Sequence, residues 1–118
     1  MVGKTPARDE VWLVFLDPTV GSEIQKPRPC VVVSPDEMNR HLRTVIVAPM
    51  TSAERPYPTR IPVMFQGKRG QVALDQIRAA NRQRLIRKLG SISSKTSLAV
   101  SSRLVEMFTP LLPPSGAR

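Results

Sequence analysis

One cysteine and one histidine are all that this 118-residue sequence offers to thiol or imidazole chemistry. The single cysteine, Cys30, excludes an internal disulfide framework and any cysteine-based zinc site. The single histidine, His41, excludes the two-histidine acid and base arrangement used by some hydrolytic sites. Cys30 lies in the apolar run Pro29-Cys30-Val31-Val32-Val33, where a thiol behaves as a small hydrophobe. His41 lies in a turn between Arg40 and Arg43. Aromatic residues make up 4% of the chain, which leaves Tyr57 and Phe65 as candidates for base stacking and assigns Trp12 to the core. No apolar run approaches the ~20 residues of a membrane span, and residues 1–8 lack the hydrophobic segment of a secretion signal. A cytoplasmic protein without membrane contact is expected. Phosphate loops of the Walker kind, dinucleotide-binding glycine fingerprints and two-histidine metal motifs are all missing. Kinase, dehydrogenase and zinc-hydrolase chemistry therefore has no support, and neither metal nor cofactor is expected.

Acidic residues are the other shortage. Eighteen Lys and Arg face nine Asp and Glu, a net charge of +9. The excess is one-sided: residues 1–54 hold 6 basic and 7 acidic side chains, whereas 55–118 hold 12 basic ones and only Asp75 and Glu106. Such asymmetry favours a polyanionic partner, because clustered cations attract phosphates or carboxylates over a Debye length. At 41% hydrophobic residues the chain can bury one modest core, so a single domain over 8–112 is expected, with 1–7 and 113–118 as flexible ends.

The β-branched run at 11–16 reads as a first strand, ended by the turn-rich segment 17–22. A second strand is expected over 30–34. Arg28, placed before Pro29, is biased to extended geometry. Residues 35–40 read as a turn or short helical segment. A third strand over 44–49 is expected to close at Pro49. Residues 55–58 form a loop, and 60–65 with 71–74 form a hairpin around Gly67-Lys68-Arg69-Gly70. Ile77, Leu85, Ile86 and Leu89 are spaced for a short helical turn stopped by Gly90. A helix beginning at Ser93 or Ser94 carries Leu98, Val105, Phe108 and Leu112 as its apolar stripe and ends near Pro110. Strands with short turns before a C-terminal helix predict an α+β, barrel-like domain built on a curled antiparallel sheet.

Polar groups gather where these strands end. Glu23, Lys26 and Arg28 fall in the first long loop, Thr51 and Ser52 after the third strand, and Asp75, Gln76 and Arg78 after the fifth. In a curled sheet such ends can converge on a phosphodiester. Alternatively each serves its own turn, with Asp75 paired to Arg78 and Glu23 to Lys26 or Arg28.

Glu10-Val11-Trp12-Leu13-Val14, Leu16-Asp17-Pro18-Thr19-Val20-Gly21-Ser22-Glu23 and Lys26-Pro27-Arg28-Pro29-Cys30-Val31-Val32-Val33-Ser34 together carry a family resemblance. With Asn39-Arg40, Val45-Ile46-Val47-Ala48-Pro49-Met50-Thr51-Ser52 and Val72-Ala73-Leu74-Asp75-Gln76-Ile77-Arg78, the chain resembles MazF/PemK-like (Kid-like) toxins of type II toxin-antitoxin systems over about residues 8–110. The resemblance implies a small SH3-like antiparallel β-barrel with short helices and a C-terminal α-helix. It implies a homodimeric, metal-independent endoribonuclease that cuts single-stranded RNA at short motifs and is inhibited by an acidic, MazE-like antitoxin. It places Arg28 and Thr51 at the family's principal catalytic pair, and Glu23 and Ser52 at neighbouring positions. Asp75, Gln76 and Arg78 match the segment beside them.

Ser22, Ser52, Asp75, Gln76 and Arg78, by that likeness, and Lys26, Tyr57, Lys68 and Arg69, by their charge or aromatic ring, are expected to bind substrate. Arg55, Arg60, Arg82, Arg84, Arg87 and Lys88 extend the track for the RNA backbone. Two departures stand out. Where one branch of the family has a histidine and an arginine with an aspartate, this chain has Ser22 and Ala73 with Asp75, and Asp9 occupies a place where glycine is frequent. The implied chemistry is attack by the RNA's own 2′-hydroxyl, with Arg28 stabilising charge, Thr51 orienting the phosphate or relaying a proton, and Glu23 the best-matched base. The competing readings are a fold-related toxin directed at DNA gyrase and a non-catalytic basic barrel that binds nucleic acid.

Overall fold

The computed structural model describes residues 5–16 and 26–111. In chain order it contains β1 (Glu10–Val14), β2 (Arg28–Val32), α1 (Asp36–His41), β3 (Thr44–Thr51), β4 (Arg60–Phe65), β5 (Lys68–Ala73), β6 (Arg78–Asn81), β7 (Leu85–Ser91) and α2 (Ser94–Met107), with 3-10 turns at Leu74–Gln76 and Arg82–Arg84. The strands form one antiparallel sheet in the order β4-β5-β3-β2-β1-β7, and β6 also pairs with β3. The sheet curls until its two ends meet. Gln66 Nε2 in the β4–β5 turn donates to Leu89 O at 3.1 Å, and the Phe65 ring lies against Gly90, where a Cβ would stand 3.1 Å from it.

Both faces of the central strands are buried. Val11, Val31, Ala48, Met50, Ile61, Val63, Val72 and Leu74 pack on one face, joined by Ile92 and Val100 at the helix. Trp12, Val14, Cys30, Val32, Val45, Val47, Ala80 and Leu85 pack on the other. Strands covered on two sides need not alternate apolar with polar, which explains the unbroken run at 30–33. Each such fully buried Val or Leu contributes about 1.5–3 kcal/mol relative to exposure.

Four expectations need correction. The strand expected over 11–16 spans Glu10–Val14, and the one over 30–34 spans Arg28–Val32, so Arg28 begins a strand and is not in a loop. Pro49 does not close the third strand, which runs on to Thr51. Pro49 is the last β3 residue before the strand passes from pairing with β2 to pairing with β5, so its missing N–H falls at a change of partner. The helical turn expected from Ile77 to Leu89 is instead β6, a 3-10 turn and β7. Pairing of β6 with β3 and of β7 with β1 overrides the local spacing, and without β7 the β1 strand would present an open edge.

The fourth correction concerns the C-terminal helix. Ser93 caps α2 through its hydroxyl, which accepts from Thr96 N at 3.2 Å, and the helix ends before Pro110 as expected. Its packed side is Val100, Leu104 and Met107; the expected stripe members Leu98, Val105 and Phe108 are 70%, 66% and 69% exposed. Leu112 lies outside the described residues. The same rotation of α2 lets Ser97 Oγ donate to Asp9 Oδ2, just before β1, at 2.8 Å. Asp9 itself has φ +77°, which accounts for glycine being the usual occupant of such a position.

Candidate functional site

Strand register alone brings the two leading candidates together. β2 and β3 pair as Val32↔Val47, Val31↔Ala48 and Cys30↔Pro49; continuing two residues further sets Arg28 across from Thr51. Arg28 confirms the approach by donating from Nη2 to Met50 O at 3.3 Å. Parity puts both side chains on the face of Cys30 and Val47. Arg78, directly opposite Val47 on β6, stands farther along that same face. Both arginines act on the Cys30 thiol: burial pushes its pKa up to about 12, against the opposing pull of Arg28 and then Arg78. Cys30 is therefore an inert thiol beneath a cationic surface.

Thr51 is held in place by its own segment. Its Oγ1 accepts from Ala53 N at 3.1 Å, which leaves the hydroxyl hydrogen to donate outward. Gln71, paired with Thr51, fixes the next residues. Its Oε1 accepts from Arg55 N at 3.0 Å and its Nε2 donates to Arg55 O at 3.1 Å, a side chain imitating a strand. Next to it, Gly70 permits β5 to approach closely: a Cβ there would stand 2.7 Å from Thr51 O. Sequence reasoning missed both Gln71 and Gly70 as positioning residues. The only available signal was Gly70 itself, read as a turn residue when the turn is Gln66-Gly67 with φ +52° and +77°.

A second cluster sits elsewhere. Asp75 is gripped by Arg60, with Nε to Oδ1 at 2.7 Å and Nη2 to Oδ2 at 3.2 Å, and by Thr59 Oγ1 at 3.1 Å. The hydrogen bond from Arg60 holds the Asp75 carboxyl below its ordinary range and raises the guanidinium in return. The partner of Asp75 is thus Arg60, not Arg78. Tyr57 joins this cluster, with the Arg60 guanidinium 5.3 Å from its ring centre. Gln76 is exposed on the adjoining 3-10 turn.

The basic track divides in the same way. Arg82 donates to Asn39 O, Leu42 O and Thr5 Oγ1, Arg84 to Leu16 O, and Lys88 Nζ meets Glu10 Oε2 at 3.0 Å. These three, with Arg60, brace the fold. Lys68 and Arg69 are exposed on β5, and Arg69 makes a 3.5 Å ion pair with Glu54. Lys26 is exposed just before β2 and Ser52 just after β3. Glu23 and Ser22 lie outside the described residues.

Fold and site define a small curled β-barrel in which an arginine at the start of β2 and a hydroxyl at the end of β3 lie across from one another. The chain belongs to the PemK-like, MazF-like toxins of type II toxin-antitoxin systems, the family that matches residues 7–108. It is 39% identical over 97 residues to "Endoribonuclease MazF9" of Mycobacterium tuberculosis, covering 74% of this chain and 82% of that protein. A shorter stretch of 45 residues is 51% identical to "Endoribonuclease PemK" of Escherichia coli, covering 38% of this chain and 34% of that one. A solved structure of MazE-MazF from Deinococcus radiodurans superposes with a TM-score of 0.77 at 24% identity, covering 88% and 96% of the two chains.

Proposed function

We propose that the protein is the toxin of a type II toxin-antitoxin pair and a sequence-specific, metal-independent endoribonuclease acting on single-stranded RNA in the cytoplasm. The observation that carries this reading is Arg28 set across from Thr51 at the open end of the β2–β3 ladder, in a chain of this family. The RNA supplies its own nucleophile. The 2′-oxygen loses its proton and bonds to phosphorus, the bond from phosphorus to the 5′-oxygen breaks, and that oxygen takes up a proton. The products are a 2′,3′-cyclic phosphate, or its opened 3′-phosphate, and a 5′-hydroxyl.

Arg28 stabilises the charge that builds on the equatorial oxygens, for which its planar, permanently charged fork is suited. Thr51 donates to a phosphate oxygen or passes a proton to the leaving 5′-oxygen, its hydroxyl oriented by Ala53 N–H. Glu23, the best-matched carboxylate, is the base proposed for the 2′-hydroxyl proton. Arg78, Lys68, Arg69 and Lys26 receive neighbouring phosphates. The chain works as a homodimer, and an acidic antitoxin segment neutralises it by occupying the cationic mouth, so antitoxin and RNA exclude one another.

The test is incubation of the purified protein with a long single-stranded RNA in excess EDTA, with cut sites and end groups mapped by primer extension. Discrete cuts with 5′-hydroxyl ends support the reading. Intact RNA from folded protein refutes it.

A further inference from the structure

Residues 52–59, between β3 and β4, form no helix or strand, and 52–58 are exposed. Yet this stretch carries the N–H that orients the Thr51 hydroxyl, since Ala53 N donates to Thr51 Oγ1 at 3.1 Å. An exposed loop of this kind opens easily unless its backbone is tied down. The tie comes from β5. Gln71 stands directly opposite Thr51 in the β3–β5 pairing, so the two side chains share a face. Its amide reaches beyond the strand end to Arg55, where Oε1 accepts from N at 3.0 Å and Nε2 donates to O at 3.1 Å.

The fit between these groups has a local cause. Arg55 precedes Pro56, which biases it to extended backbone, and an extended residue turns its own N–H and C=O to the same side. A primary amide carries an acceptor and a donor side by side, so one side chain meets both. A second tie, Glu54 to Arg69 at 3.5 Å, joins two exposed side chains and adds little by itself. Arg55 lies two residues past Ala53, so a short path runs from Gln71 through the loop to the hydroxyl set across from Arg28. We infer that Gln71 is a positioning residue of the ribonuclease site: its grip on Arg55 keeps the Ala53 N–H on Thr51 Oγ1, which leaves the hydroxyl hydrogen free for the scissile phosphate. The inference rests on the ribonuclease reading for the reaction it serves.

Two observations separate this role from general support of the fold. Gln71 is partly exposed at the margin of the core, whereas the next two residues, Val72 and Ala73, are buried. Both of its side-chain bonds go to the backbone of a single loop residue, so losing them frees the loop and leaves the backbone ladders of β3, β4 and β5 in place.

The test uses Gln71→Met, which keeps the length of the side chain and removes both bonds. By NMR, the amides of Ala53 and Arg55 are expected to exchange with solvent about tenfold or more faster than in the parent, whereas that of Val31 in β2 keeps its protection. On a mapped RNA oligomer in excess EDTA, the single-turnover rate at saturating protein is expected to fall about tenfold or more, with the half-saturating concentration unchanged. The decisive readout is the cycle with Thr51→Ala. Adding Gln71→Met to Thr51→Ala is expected to cost no further rate, because the hydroxyl it positions is already gone. Should Gln71→Met melt well below the parent, Gln71→Glu, which keeps the acceptor for Arg55 N–H and loses the donor, takes its place in the same cycle.

Multiplying losses in the double variant, or a parental rate in folded Gln71→Met, overturn the action on Thr51. Parental exchange at Ala53 overturns the tie itself. If the parent cuts no RNA, the ribonuclease reading falls and the catalytic role with it, while amide exchange still decides whether Gln71 holds the loop.

Discussion

Cys30 shows how a residue's surroundings decide its chemistry. It is fully buried among Trp12, Val14 and Val47, and burial holds its thiol near pKa 12 despite two nearby arginines. Native protein at neutral pH should therefore react with a thiol reagent at only a small fraction of the rate of the unfolded chain, which a colorimetric thiol assay with and without denaturant measures. Asp75 shows the opposite displacement. Its folded pKa lies below the ordinary carboxylate value because Arg60 donates to it, so its stabilising contribution is present above about pH 4 and is lost as pH falls through the lowered folded value. Asp75→Asn should lower Tm at neutral pH, and the gap from the parent should close in acid. A gap that persists at pH 2 would show that the Arg60 grip is not its source.

Between strands, the controlling element is the three-way junction of β2, β3 and β5. β3 carries Thr51 because it continues past Pro49, and β5 lies close because Gly70 has no side chain. Gly70→Ala forces backbone apart at Thr51 O, an overpacking cost of about 1–3 kcal/mol. It should reduce both Tm and cutting, whereas the exposed-site change Leu98→Ala should leave cutting near the parent level.

Sequence patterning made the apolar strands, the β4–β5 hairpin and the capped C-terminal helix legible, because each has a local cause in β-branched runs, glycine turns or a serine cap. Residues 77–89 carry apolar spacing that suits a helix, and only long-range pairing, of β6 with β3 and of β7 with β1, makes them strands. The side of α2 that packs was equally hidden, since Val100, Leu104 and Met107 find their partners only in the folded sheet. Arg28 and Thr51 are singled out by family likeness, and strand register then lays them across from one another. The reciprocal bonds of Gln71 with Arg55 had no local signature, since an amide in a strand announces nothing about the loop it will grip.

For the molecule as a whole, the net charge of +9 divides into cations that brace the fold and cations that meet solvent. Arg60, Arg82, Arg84 and Lys88 are engaged by carboxylates or carbonyls, so the charge excess overstates the surface offered to RNA. Affinity for single-stranded RNA should fall with salt, and removing Lys68 and Arg69 together should flatten the slope of log K against log salt by about 0.7 per lost phosphate contact. The central claim is that cutting depends on one arginine at the start of β2 and one hydroxyl at the end of β3. It is tested most directly by single-turnover cleavage of a mapped RNA oligomer in excess EDTA, comparing the parent with Arg28→Ala and Thr51→Ala after confirming that each melts like the parent. The account predicts a loss of about 100-fold or more for Arg28→Ala and a clear loss for Thr51→Ala, whereas near-parental rates from either folded variant would contradict it.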